Sequence, residues 1–93
     1  MGLSFEWDPD KAATNARKHR VTFDEASTVF SDPLSVATFD PLHSDDEDRF
    51  VIIGVSERQR VLVVCFTDRN ERIRLISARV ASKKERKQYE EDS

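Results

Sequence analysis

The side chains with chemistry to offer fall in three places. In "DPDKAATNARKHR", Lys11, Asn15 and His19 step by four and Lys18 follows Asn15 by three, so a helix there carries all four together. An ammonium, an amide and an imidazole on that face could hold a phosphate and pass a proton. An imidazole with an ordinary pKa of about 6.5 serves as acid or base near neutral pH. The same spacing describes a solvated face whose terminal cations offset the helix dipole, and the helix alone favours that plainer reading. In "RIRLISAR", a period of two puts Ile73, Leu75, Ser77 and Arg79 on one strand face and Arg72, Arg74, Ile76 and Ala78 on the other. Arg79 then ends an otherwise apolar face, where a charge needs a partner or an anion, while Arg72 and Arg74 face solvent. In "SKKERKQYE", Arg86 and Tyr89 stand three apart on one helical face. Tyr89 either anchors that helix with its hydroxyl in water or stacks on a base, and the sequence favours the anchor.

The acid run Asp45, Asp46, Glu47 and Asp48 reads as an exposed loop. Adjacent residues seldom converge on one ion, and neither a glycine-containing calcium loop nor a zinc-type Cys/His spacing is present. No metal and no cofactor are expected.

Elements to position these groups are legible along the chain. "LSFEW" alternates as a short half-buried strand. Asp8 caps a helix over Pro9–His19, with proline in its first position and cations in its last turns. Thr22 with Glu25 forms a capping box for a short second helix, with Val21 and Ala26 as a staple. Its buried face holds Phe23, Ala26, Val29 and Phe30, and Asp32-Pro33 ends it. A strand from Leu34 to Asp40 and the polar loop "PLHSDDED" lead into "RFVIIGVS", "RVLVVCFTD" and "RIRLISAR", three strands joined by short hairpin connections. The apolar run "VLVVCF" reads as a central strand covered on both faces, with Cys65 a small buried hydrophobe. Ser82 with Glu85 caps a last helix reaching about Glu91. The expected fold class is α+β, in the order β-α-α-β-β-β-β-α, with helices packed on an antiparallel sheet.

A chain of 93 residues is expected to form one domain, 1–93. Its net charge of -3 hides an asymmetry: residues 1–50 carry 5 Lys and Arg against 11 Asp and Glu, and residues 51–93 carry 10 against 7. The acidic total counts against tight non-specific nucleic-acid binding, while a local basic groove remains open. A single cysteine, no apolar leader and no membrane-length apolar run point to a cytoplasmic protein without a membrane association.

Taken together, "FEWDPDKAATNARKHRVTFDEASTVFSDP", "IGVS", "VLVVCFTDR" and "RIRLISARVASKKERKQYE" resemble the BrnT family of type II toxins. The resemblance spans Phe5 to Tyr89 and rests on ordered blocks. It implies a RelE-like ribonuclease fold, an RNA substrate and a BrnA-like antitoxin with a ribbon-helix-helix DNA-binding part, DNA being met only through that antitoxin. By motif position it implies Lys18, His19, Arg79, Arg86 and Tyr89 as catalytic candidates, with Arg49 and Arg69 as weaker RNA-binding additions. Arg79 and Arg86 would hold phosphate, His19 or Lys18 would move a proton, and Tyr89 would stack or donate a hydrogen bond. Two positions depart from the family pattern: Arg20 stands where glycine is usual after the Lys-His pair, and the hairpin "ERQR" lacks its glycine. Either that first turn differs or Arg20 is strained.

Two functions follow as expectations. One is a metal-independent endoribonuclease that inhibits translation and growth and is neutralised by its antitoxin. The other is a non-catalytic partner that binds an antitoxin and acts as a transcriptional co-repressor.

Overall fold

Side-chain caps open the three α-helices of the computed structural model, which describes residues 3–41 and 47–92. A short strand β1 (Ser4–Glu6) leads into helix α1 (Pro9–His19). The Asp8 carboxylate accepts the Asp10 amide at 2.8 Å and caps that helix. Helix α1 ends on Arg20, whose φ of 57° and ψ of 36° are left-handed. Arg20 therefore takes the strained alternative at a position that favours glycine.

Helix α2 (Phe23–Thr28) starts where Thr22 Oγ1 accepts the Glu25 amide at 3.1 Å, and a 3-10 turn over Val29–Ser31 follows it. Only half of the expected capping box forms. Glu25 is buried and turns its carboxylate to Arg60 and Ser56 instead of back to Thr22. An arginine offers the buried carboxylate more than one neutral amide can.

Strands β2 (Val36–Asp40), β3 (Arg49–Val55), β4 (Val61–Arg69) and β5 (Arg72–Val80) precede helix α3 (Lys83–Asp92). In space the strands run β1-β5-β4-β3-β2. The sheet is mixed, not purely antiparallel: β1 lies parallel to β5, with Phe5 opposite Ile73. The connection through α1, α2 and β2–β4 is long enough to return the chain in a parallel sense. No helix among the described residues is long and apolar enough to cross a membrane.

One sheet face makes the core. Val21, Phe23, Ala26 and Val29 pack on Ile52, Leu62, Val64, Phe66, Leu75 and Ala78. Aromatic edges tie it together, with Phe30 5.0 Å from Phe66 and Trp7 5.8 Å from Phe23 between ring centroids. Gly54 allows the 3-10 turn to come close, since a Cβ there would lie 2.9 Å from Val29 Cγ1 and from Ser35 Cβ.

A register shift corrects the expected sorting of the arginines. Cys65 faces Ser77 but Phe66 faces Leu75, so Ile76 is an extra residue in β5. The bulge reverses the alternation, and Leu75 and Ala78 both enter the core. Arg79 therefore does not continue the face of Ile73 and Leu75. It shares the opposite, open face with Ser77, Arg72 and Arg74.

Candidate functional site

The open face is built from the alternate residues of each strand: Val36, Thr38 and Asp40, then Arg49, Val51 and Ile53, then Val63, Cys65 and Thr67. Helix α3 crosses one end of it. Ser82 Oγ accepts the Glu85 amide at 3.2 Å and Glu85 Oε1 accepts the Ser82 amide at 2.9 Å, so this capping box is complete. Farther along, the Tyr89 hydroxyl donates to Asp32 Oδ2 at 2.5 Å, and Asp32 also accepts the amides of Leu34 and Val55. Burial and then the Asp32 carboxylate push the Tyr89 phenol up to about 12. Burial opposes ionisation of Asp32, yet the hydrogen bonds from Tyr89, Val55 and Leu34 hold its carboxyl below the usual range.

Beside α3 the open face forms a hollow of about 430 Å³, lined among others by Thr38, Asp40, Cys65, Ser77, Arg79 and Glu85. A second hollow of about 280 Å³ lies under α3 between Val36, Ile53, Val63, Gln88 and Tyr89. Thr38, Val51, Val63 and Glu85 line both, so the two adjoin. Arg79 presents Nη1 and Nη2 to the two Glu85 carboxylate oxygens at 2.7 and 2.8 Å. That fork, with the Ser82 amide, holds the Glu85 carboxyl at about 2.

The expected residues divide into separate groups. Lys18 and His19, with Lys11 and Asn15, line a hollow of about 330 Å³ between α1 and the β5 bulge, and that hollow meets the Arg79 hollow at Ser77. Asn15 does not take part as a ligand group. It is buried, donates to the carbonyls of Val21 and Ala78 at 3.0 and 2.8 Å, and accepts the Ala78 amide at 3.0 Å. It thus stands in for a strand neighbour at the β5 edge beyond β1. Lys18 is exposed and His19 half-buried, whereas Tyr89 is buried with its hydroxyl on Asp32, not in water. Arg86 is exposed on α3.

Arg49 stands opposite Asp40 and Thr67 on the open face, and Arg69 pairs with Glu47 at 3.2 Å. Of the acidic run, Asp45 and Asp46 lie outside the described residues. Cys65 is half-buried on the open face rather than enclosed, whereas Val63 on the same face is buried and shares a hollow with Gln88 and Tyr89 of α3.

Sequence reasoning missed Glu85 as the partner of Arg79 and Asp32 as the partner of Tyr89. The "S-x-x-E" signal marked Glu85 only as a cap. Asp32 appeared only as a helix stop before proline.

No curated protein matches the chain. The crystal structure of the Brucella abortus ribonuclease toxin BrnT is similar to it, with a TM-score of 0.65 and 26% identity, covering 88% of this chain and 100% of that one. Residues 7–85 match the family described as the ribonuclease toxin BrnT of type II toxin–antitoxin systems. With that match spanning most of its length, the chain belongs to the BrnT family of ribonuclease toxins.

Proposed function

We propose that the protein is a metal-independent endoribonuclease of RelE-like fold that arrests growth by cutting RNA. In the reaction, a 2'-hydroxyl oxygen attacks the adjacent phosphorus, a base takes its proton, and the 5'-oxygen leaves with a proton from an acid. The products are a cyclic 2',3'-phosphate and a 5'-hydroxyl. The observation that carries this reading is the Arg79 guanidinium, which borders an open hollow with Ser77 and Thr38 and there already holds an oxyanion, the Glu85 carboxylate, in its planar two-nitrogen fork. A fork of this kind matches two phosphate oxygens and stabilises the charge gained in the transition state.

Lys18 and His19 are assigned proton transfer from the adjoining hollow, and exposed Arg86 a phosphate contact. Tyr89 acts by holding α3 in place through Asp32. Arg49 and Arg69 extend the anion-binding face. The partner is a BrnA-like antitoxin with a ribbon-helix-helix part, through which the complex meets DNA, and the setting is the cytoplasm.

The test is inducible expression in bacteria of wild type and Arg79→Ala, each with and without the neighbouring gene. Wild type alone is expected to arrest growth, with relief from the neighbour and from the substitution. Equal arrest by Arg79→Ala, with equal protein levels, would remove Arg79 from the mechanism. The co-repressor reading draws on the net charge of -3, which suits a basic protein partner. It predicts operator binding changed by the complex and no RNA cleavage.

A further inference from the structure

Among the described residues, three arginines of the open face each meet a carboxylate from another segment of the chain. Arg74 meets Glu6 at 3.0 Å, Arg69 meets Glu47 at 3.2 Å, and Arg79 meets Glu85 at 2.7 Å. Arg69 and Glu47 also meet through two nitrogens and two oxygens, so the last pair is set apart by its position and by using both terminal nitrogens. Two terminal nitrogens face two oxygens, the arrangement a phosphate would offer, and the pair borders the hollow assigned to RNA. Both side chains are part-exposed, at 45% for Arg79 and 32% for Glu85, so a dissolved anion can reach the guanidinium.

Resting on the ribonuclease reading, we propose that Glu85 is a built-in competitor that occupies the phosphate site of Arg79 and must leave it when RNA binds. The exchange is chemically balanced, since one oxyanion replaces another and no proton or bond is transferred. Its consequence reaches the start of α3. Glu85 Oε1 also accepts the Ser82 amide, so a displaced Glu85 keeps a partner at the helix N-terminus while giving up the arginine. The clamp lowers the affinity of the free protein for RNA. Because exposed ion pairs are weak, the competitor weakens binding without abolishing it.

The experiment measures binding of a short, fully 2'-O-methylated single-stranded RNA by fluorescence anisotropy, with wild type, Glu85→Gln, Ser82→Ala and Arg79→Ala. Glutamine keeps an oxygen for the Ser82 amide and removes the charge that competes for Arg79. Glu85→Gln is expected to bind about two- to fivefold more tightly, the range set by the strength of an exposed ion pair. Ser82→Ala, which loses only the cap to the Glu85 amide, should bind as wild type does, and Arg79→Ala should bind more weakly. Inorganic phosphate should displace the RNA at lower concentration from Glu85→Gln than from wild type.

Unchanged or weaker binding by Glu85→Gln, alongside weakened Arg79→Ala, overturns the competitor and leaves Arg79 as the phosphate site. Equal tightening by Ser82→Ala also overturns it, since helix fraying then accounts for the gain. Wild-type binding by Arg79→Ala overturns the Arg79 site itself.

Discussion

Replacing Asn15 by alanine removes the side chain that joins α1 to the strand bearing Arg79. Three hydrogen bonds are lost, at 3.0, 2.8 and 3.0 Å, and their partners belong to Val21 and Ala78, both 0% exposed. At about 1 kcal/mol net for each bond the loss is about 3 kcal/mol, and the buried carbonyls and amide left without partners raise it further. A domain of this size has roughly 5–14 kcal/mol of stability in all, so one side chain holds a large share. The corresponding fall in Tm is about 12–24 °C, at 4–8 °C per kcal/mol. The assay is urea unfolding followed by fluorescence of Trp7, the single tryptophan, which packs against Phe23. The midpoint should fall with the slope unchanged. Asn15→Asp should not recover the loss, because it keeps the acceptor for the Ala78 amide but sets a carboxylate against two carbonyl oxygens. A loss below about 1 kcal/mol would refute the assignment of Asn15 as a substitute strand neighbour.

Three further outcomes follow from the fold. Arg20→Gly should stabilise the protein by up to about 1 kcal/mol in thermal melts, the relief of left-handed strain being offset by the greater freedom of glycine when unfolded. Gly54→Ala should destabilise it by about 1–3 kcal/mol through overpacking, since the new Cβ meets Val29 and Ser35 at 2.9 Å and Asp32 Oδ2 at 3.1 Å. The Glu85 carboxyl, held by Arg79 at about 2 against 4.5 when free, stabilises the fold above pH 4.5 and loses that contribution as pH falls between 4.5 and 2. Urea midpoints at about pH 5 and about pH 3 should therefore differ more for wild type than for Glu85→Gln.

Local chemistry made much of this legible. The Asp8, Thr22 and Ser82 caps are short-range signals, and each stands at the start of its helix. Arg20 after the Lys-His pair and Gln59 in the "ERQR" hairpin are both left-handed, so both turns form without glycine and accept the strain. Long-range facts stayed hidden. Nothing in "RIRLISAR" marks the bulge at Ile76, because a bulge depends on the partner strand's register, and one extra residue was enough to move Arg79 to the other face. The parallel pairing of β1 with β5 likewise joins segments far apart in sequence. Glu25 was read through its neighbour three residues away, while its true partner, Arg60, comes from the β3–β4 hairpin. In the site, the helical spacing of Lys11, Asn15, Lys18 and His19 did place them around one hollow. That Asn15 is consumed by backbone groups of β5 could be seen only once the sheet was assembled.

The central claim is that Arg79 on the open sheet face binds the phosphate at which RNA is cut. Its most direct test is a single-turnover cleavage assay on a long single-stranded RNA, with purified wild type and Arg79→Ala, in the presence of a chelator and in its absence. Wild type should give fragments ending in cyclic 2',3'-phosphate in both conditions. Arg79→Ala should cleave about a hundredfold more slowly, the scale seen when one donor to a developing oxyanion is removed. Intact RNA with folded wild type in both conditions, or equal cleavage by the two proteins, would contradict it.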